Sequence, residues 1–97
     1  MAEVLILQFE GIGQAEYEAV SKALGVDLET GDGSPDGLVS HVGAVGDDGT
    51  FWVIEVWDSR ATQETFMETL LGPALAEAGV SNPPKAAWAS VVGHVIV

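Results

Sequence analysis

Phe51-Trp52-Val53-Ile54-Glu55-Val56-Trp57-Asp58-Ser59 reads as a strand that runs straight into the start of a helix. β-Branched and aromatic residues dominate its first seven positions, and Ser59 is of the type that caps a helix N-terminus. Just upstream, Gly46-Asp47-Asp48-Gly49 separates this run from Leu38–Val45, and the two runs form a hairpin. Gly49 suits the left-handed position of a three-residue loop with a G1 bulge. That register pairs Gly46 with Thr50, and so His41 with Glu55 and Val39 with Trp57. A two-residue loop would set His41 against Ile54; the three-residue form is the expectation.

Outward from the hairpin, Val4-Leu5-Ile6-Leu7-Gln8-Phe9 is a short apolar strand closed by Gly11 and Gly13. Gln14–Leu24 reads as a helix with Ala15, Ala19, Val20, Ala23 and Leu24 at helical spacing and Gly25 at its C-terminal cap. The Gly-, Asp-, Ser- and Pro-bearing stretch Asp27–Gly37 is a loop, long for so small a chain. It is either a flap over a site or a plain connector. Beyond Ser59 the helix is expected to turn Ala61, Thr65, Phe66, Thr69 and Leu70 inward, and Gly72-Pro73 to kink or restart it. Ala86–Val97 is expected to be one long final strand with Ser90 and His94 as its polar side chains. The order β-α-β-β-α-β predicts an α+β split βαβ sandwich with a four-stranded antiparallel sheet, one domain over residues 1–97.

Composition narrows what such a domain can do. A chain of 97 residues, 47% of them apolar, can bury a thin core. Fifteen acidic side chains against Lys22, Arg60 and Lys85 give a net charge of -12. Nucleic-acid binding needs Lys and Arg to displace counterions, and anionic membranes need them too, so neither partner is expected. The absence of cysteine fits a reducing compartment. The apolar run Val4–Leu7 is interrupted by Gln8 and Glu10, too short for a signal segment, so a cytoplasmic protein is expected.

Two helices cover only one face of a four-stranded sheet, and a face left to water should be polar at alternate positions. Here it is not. Val4 and Ile6 oppose Leu5, Leu7 and Phe9; Trp52, Ile54 and Val56 oppose Phe51, Val53 and Trp57; Trp88 opposes Ala87 and Ala89. Burying even ~500 Å² of apolar area contributes about 12 kcal/mol before the costs of association. The uncharged last strand, at a sheet edge, is also open to pairing with another chain. A homodimer joined sheet to sheet is therefore expected.

The run Phe51–Ser59 with its strand-to-helix ending Glu55-Val56-Trp57-Asp58-Ser59, the following Phe66, Asp36-Gly37-Leu38 and Leu71-Gly72-Pro73-Ala74-Leu75 together resemble the dimeric α/β-barrel superfamily, in its antibiotic-biosynthesis-monooxygenase-like branch. The resemblance implies two ferredoxin-like protomers stacking their sheets into a barrel, with a ligand held between sheet and helices of each. The superfamily includes cofactor-independent quinone-forming monooxygenases, polyketide cyclases, haem-degrading enzymes and lactone isomerases. The haem-degrading group places an iron-ligating histidine near the position of Ala76 and an asparagine on the first strand. This chain has no histidine between Arg60 and Pro84 and carries Ile6 and Gln8 on that strand, so haem chemistry is not expected.

His41 and Glu55 are the candidate catalytic residues. Directly opposite one another, they would form a carboxylate-oriented imidazole suited to general-base work; the alternative is a polar pair at a wet sheet face or dimer seam. Trp57, at the position of a pocket tryptophan in the haem-degrading relatives, is expected to stack on a flat ligand or else to pack in the core. Tyr17 is expected to hold the ligand from the first helix, Gly43 to leave room for it, and Phe66 to line the site. His94 either reaches a pocket in a partner or stands in solvent. His41 and His94 have no clustered third ligand, so no metal is expected, and Gly11-Ile12-Gly13 is too short for a phosphate loop. The reading that results is a cofactor-independent monooxygenase or cyclase acting on a small apolar or aromatic molecule; its rival is a non-catalytic ligand-binding or accessory homodimer.

Overall fold

A computed structural model describes Ala2–Val97. Strand β1 (Glu3–Phe9) leads to helix α1 (Gln14–Leu24), the hairpin β2 (Leu38–Val45) and β3 (Phe51–Trp57), helices α2 (Arg60–Phe66) and α3 (Gly72–Glu77), and strand β4 (Lys85–Ser90). The sheet order is β2-β3-β1-β4, antiparallel throughout, which is the ferredoxin-like α+β arrangement.

The hairpin closes as its loop chemistry dictates. Gly46 N–H donates to Thr50 O at 2.7 Å, Gly49 N–H to Gly46 O at 2.9 Å, and Gly49 sits at φ 88. His41 accordingly faces Glu55 and Gly43 faces Val53. The register slips further along. Leu38, not Val39, pairs with Trp57, because a bulge between Leu38 and Ser40 leaves Val39 as an extra, exposed residue. Just before it, Gly37 (φ 87) lies against the Asp58 carboxylate and the Thr62 methyl, and its carbonyl accepts from Asp58 N–H at 2.8 Å. The start of β2 is thereby tied to the β3–α2 junction.

The last strand is shorter than its composition suggests. β4 pairs with β1 from Lys85 to Ser90, and Val91 N–H donates to Ala2 O at 3.0 Å. Ser90 lies opposite Glu3, the first residue of β1, and, among the described residues, 91–97 belong to no strand, with Val92 fully exposed.

Helix α1 ends at Gly25 (φ 76), whose N–H returns to Lys22 O. Its inner stripe is Tyr17, Val20, Ser21 and Leu24; Ala15, Ala19 and Ala23 face out, since the larger side chains fill the space above the sheet. Ser59 caps α2 by accepting from Thr62 N–H at 3.2 Å. Gly72-Pro73 opens a second helical segment, α3, with Pro73 in its first turn. A π-helical turn over Met67–Leu71 carries the chain through, with Gly72 N–H donating to Met67 O. The wider turn accommodates a proline, whose ring clashes with the preceding turn in a regular helix. Gln63, Phe66 and Ala74 face inward, whereas Leu70 is exposed.

Helices and sheet enclose Leu5, Leu7, Phe9, Phe51, Val53, Trp57 and Phe66. Trp88 packs beside this core under the Arg60 guanidinium, 5.2 Å from the ring centroid. The opposite face carries Val4, Ile6, Trp52 and Ile54, half-buried, and Val42, exposed. No helix of the described residues is long and apolar enough to cross a membrane.

Candidate active site

Four side chains from three elements form one hydrogen-bonded chain. Glu55 points from the middle of β3 into the core, its side chain only 7% exposed. A carboxylate so placed is costly unless both oxygens are satisfied. They are: Trp57 Nε1–H donates to Oε1 at 3.1 Å, and His41 Nδ1 meets Oε2 at 2.8 Å. On the other side of the imidazole, Nε2 lies 2.6 Å from the Tyr17 hydroxyl.

Backbone geometry sets each of these positions. The hairpin register brings His41 beside Glu55, and two residues on, Gly43 makes room for Tyr17. A Cβ at Gly43 would stand 2.7 Å from Tyr17 Cζ. The Tyr17 ring also packs on Phe51, with centroids 4.9 Å apart, and runs parallel to the imidazole to within 4°. Burial, reinforced by the negative charge of Glu55, raises the Tyr17 phenol above its ordinary pKa of 10.0.

The chain borders a cavity of about 780 Å³ between sheet and helices. Leu7, Phe9, Val20, Leu24, Phe66 and Leu75 make its wall apolar, and Tyr17, His41 and Glu55 are its polar feature on the sheet side. The Asp27–Gly37 loop forms another wall through Leu28, Thr30, Ser34 and Pro35. That loop is folded on itself. The Asp27 carboxylate accepts from Glu29 and Thr30 N–H, and these two bonds hold its pKa below the ordinary carboxylate value. Among the described lining residues there is no Lys or Arg, while Asp27, Glu29 and Glu55 are acidic.

Tyr17, His41, Glu55, Gly43 and Phe66 thus meet at one cavity. Trp57 does not line it: the ring is 0% exposed and packs on Phe66, 5.6 Å between centroids. Its indole orients Glu55 from behind, so stacking on a ligand is not what its position provides. The space above Gly43 holds the Tyr17 ring, so this glycine accommodates a protein side chain. His94 lies on the exposed segment after β4, away from the site. Sequence reasoning missed the Tyr17–His41 contact, although the stripe Tyr17-Val20-Ser21-Leu24 carried the signal once the small alanines are read as outward. Among the described residues no three His, Cys, Asp or Glu side chains gather as a metal site.

A ferredoxin-like sheet thus holds a carboxylate-oriented histidine beside an apolar cavity of a size that a small molecule would fill. The chain shares its ferredoxin-like fold with solved structures described as monooxygenases or oxygenases. It is similar in structure to a candidate antibiotic biosynthesis monooxygenase from Chloroflexus aurantiacus (TM-score 0.68, 20% identity, covering 100% of each chain). It is similar also to the ActVA-Orf6 monooxygenase of Streptomyces coelicolor in complex with nanaomycin D (TM-score 0.64, 22% identity, 99% of this chain and 92% of that one). A further similar structure is SnoaB, a cofactor-independent oxygenase of Streptomyces nogalater (TM-score 0.66, 10% identity, 97% and 96%). No protein-family model and no curated protein matches the sequence.

Proposed function

We propose that this chain is a cofactor-independent enzyme of monooxygenase or cyclase type, a cytoplasmic homodimer that removes a proton from an uncharged aromatic or polyketide-like molecule. The observation carrying this reading is the His41–Glu55 pair, 2.8 Å from Nδ1 to Oε2, at the edge of an apolar cavity of about 780 Å³. Glu55 orients the imidazole and stabilises the cation formed when His41 takes a proton. The proton comes from a phenol or from carbon beside a carbonyl. The anion left behind either reacts with dioxygen or attacks a carbonyl of the same molecule and closes a ring. A phenol and dioxygen give a quinone and water, so in the oxygenase case the substrate supplies the electrons.

Two proteins of the same fold support the oxygenase case, one solved with nanaomycin D and one described as a cofactor-independent oxygenase. The acidic lining, without Lys or Arg among the described residues, favours an uncharged ligand. The homodimer is supported by the apolar outer face of the sheet and by the exposed Val92, Val95, Ile96 and Val97, which a second copy stacking sheet on sheet into a barrel would cover.

The test is turnover of a panel of uncharged phenols and β-polyketones, 1-naphthol among them, by the wild type and by His41→Ala. Loss of about 10²–10⁴-fold with an unchanged circular dichroism spectrum is expected. An unchanged rate removes His41 from the mechanism. Binding without turnover across the panel leaves a ligand-binding dimer instead.

A further inference from the structure

The hydrogen bonds around His41 have a direction. An indole N–H only donates, and a carboxylate oxygen only accepts, so Trp57 donates to Oε1 of Glu55. Oε2 accepts in turn from His41, which puts the imidazole proton on Nδ1. Neutral His41 then has a lone pair on Nε2, and the group facing it, 2.6 Å away, is the Tyr17 hydroxyl. Tyr17 therefore donates to His41. Its own oxygen keeps an acceptor site, and Tyr17 lines the cavity.

From this order we infer that Tyr17 is a catalytic residue: its oxygen meets the substrate hydroxyl and passes the proton to His41. This rests on the proton-abstraction reading above and changes which atom does the abstracting. The substrate O–H bond breaks as a new O–H bond forms on Tyr17. The original Tyr17 O–H breaks as N–H forms on Nε2 of His41. The products are a substrate phenolate, a neutral Tyr17 and an imidazolium paired with the Glu55 carboxylate. The proton Tyr17 has gained lies on the substrate side, where it donates to the phenolate just made.

The relay selects its substrate. Protons move readily between oxygens and nitrogens already joined by hydrogen bonds, whereas a neutral phenol oxygen is a poor acceptor for a proton on carbon. A Tyr17-first site therefore takes hydroxyl donors and disfavours carbon acids beside a carbonyl. The surroundings keep Tyr17 in its protonated, donating form. Its charged neighbours are Glu55 and, when protonated, His41, with Asp27 and Glu29 as the other ionisable groups of the cavity wall. Burial and Glu55 both oppose phenolate formation.

The test compares 1-naphthol with 1-methoxynaphthalene, which has the same rings and no hydroxyl proton, by calorimetry on the wild type and on Tyr17→Phe. Phenylalanine keeps the ring contact with Phe51 and the fit over Gly43. The wild type is expected to prefer the naphthol by up to about tenfold, one neutral hydrogen bond's worth, and Tyr17→Phe to lose that preference while binding the ether within about twofold. Conversion of 1-naphthol to 1,4-naphthoquinone is expected to fall about 10²-fold in the same variant. A preference and rate that survive in Tyr17→Phe make His41 the direct base, overturning the relay and sparing the base assignment. A wild type that binds neither compound overturns both.

Discussion

Gly43 and Tyr17 are fitted to one another: a methyl group at position 43 would stand 2.7 Å from Cζ and 2.9 Å from the hydroxyl oxygen of the tyrosine. Gly43→Ala should therefore push the Tyr17 ring away from His41. Overpacking of this kind costs about 1–3 kcal/mol. The melting temperature should fall and any turnover fall with it. An alanine variant with wild-type stability and rate would mean the ring is free to move without consequence.

The chain has one tyrosine, so its near-ultraviolet phenolate band reports Tyr17 alone. Burial and then Glu55 raise its pKa above 10.0. An unfolded chain releases this proton near 10, while the folded one holds it to higher pH. Stability should thus be unaffected by Tyr17 below that value and fall as the pH climbs from there through the raised one. Glu55→Gln removes one of the two causes, and the band should then appear at lower pH. A titration that does not move would show that the Glu55 charge is not felt at Tyr17.

With Asp27, Glu29 and Glu55 and no described cation on its wall, the cavity should reject carboxylates. Desolvating an anion without a partner is costly. We expect 1-hydroxy-2-naphthoic acid to bind at least about tenfold more weakly than 1-naphthol at neutral pH. Calorimetry with both ligands decides, and equal affinities would point to a binding mode outside this cavity.

Beyond the one bond from Val91 N–H to Ala2 O, the seven residues after Ser90 add nothing to the chain's own sheet, and they present Val92, Val95, Ile96 and Val97 to solvent. Light scattering on the full chain at micromolar concentration should give the mass of a dimer. Ending the chain at Ser90 leaves all four strands whole and should shift that mass toward one copy, as should Val42→Asp on the outer face. A full-length chain running as a single copy would end the barrel proposal.

Trp57→Phe keeps the ring but removes the donor to Glu55 Oε1. Leaving that buried oxygen unpaired costs about 1–3 kcal/mol. The same change should loosen His41, so activity should fall more than burial alone explains. Thermal melts and turnover measured together check this.

Much of this was legible along the chain. The three-residue loop Asp47–Gly49 set the register of β2 on β3, because a turn of given length leaves one way to align two strands, and His41 then faces Glu55. The helix spanning Gln14–Leu24 was equally plain, ending where Gly25 supplies the left-handed cap. What failed were features set by neighbours far away in sequence. Val39 misses Trp57 because the start of β2 is tied to Asp58 and Thr62. The final strand stops at Ser90, opposite Glu3, where its pairing with β1 ends.

The amino-acid order by itself determined the ferredoxin-like layout and the His41–Glu55 pairing, since both follow from local turn, cap and strand periods that act within a few residues. Only the tertiary structure decided that Tyr17 caps the imidazole, that Trp57 orients Glu55 from within the core, and that Gly43 accommodates a tyrosine. Each of these depends on how a helix lies across a sheet to within about an ångström. Close packing fixes that distance through many side chains at once, and no stretch of sequence encodes it alone.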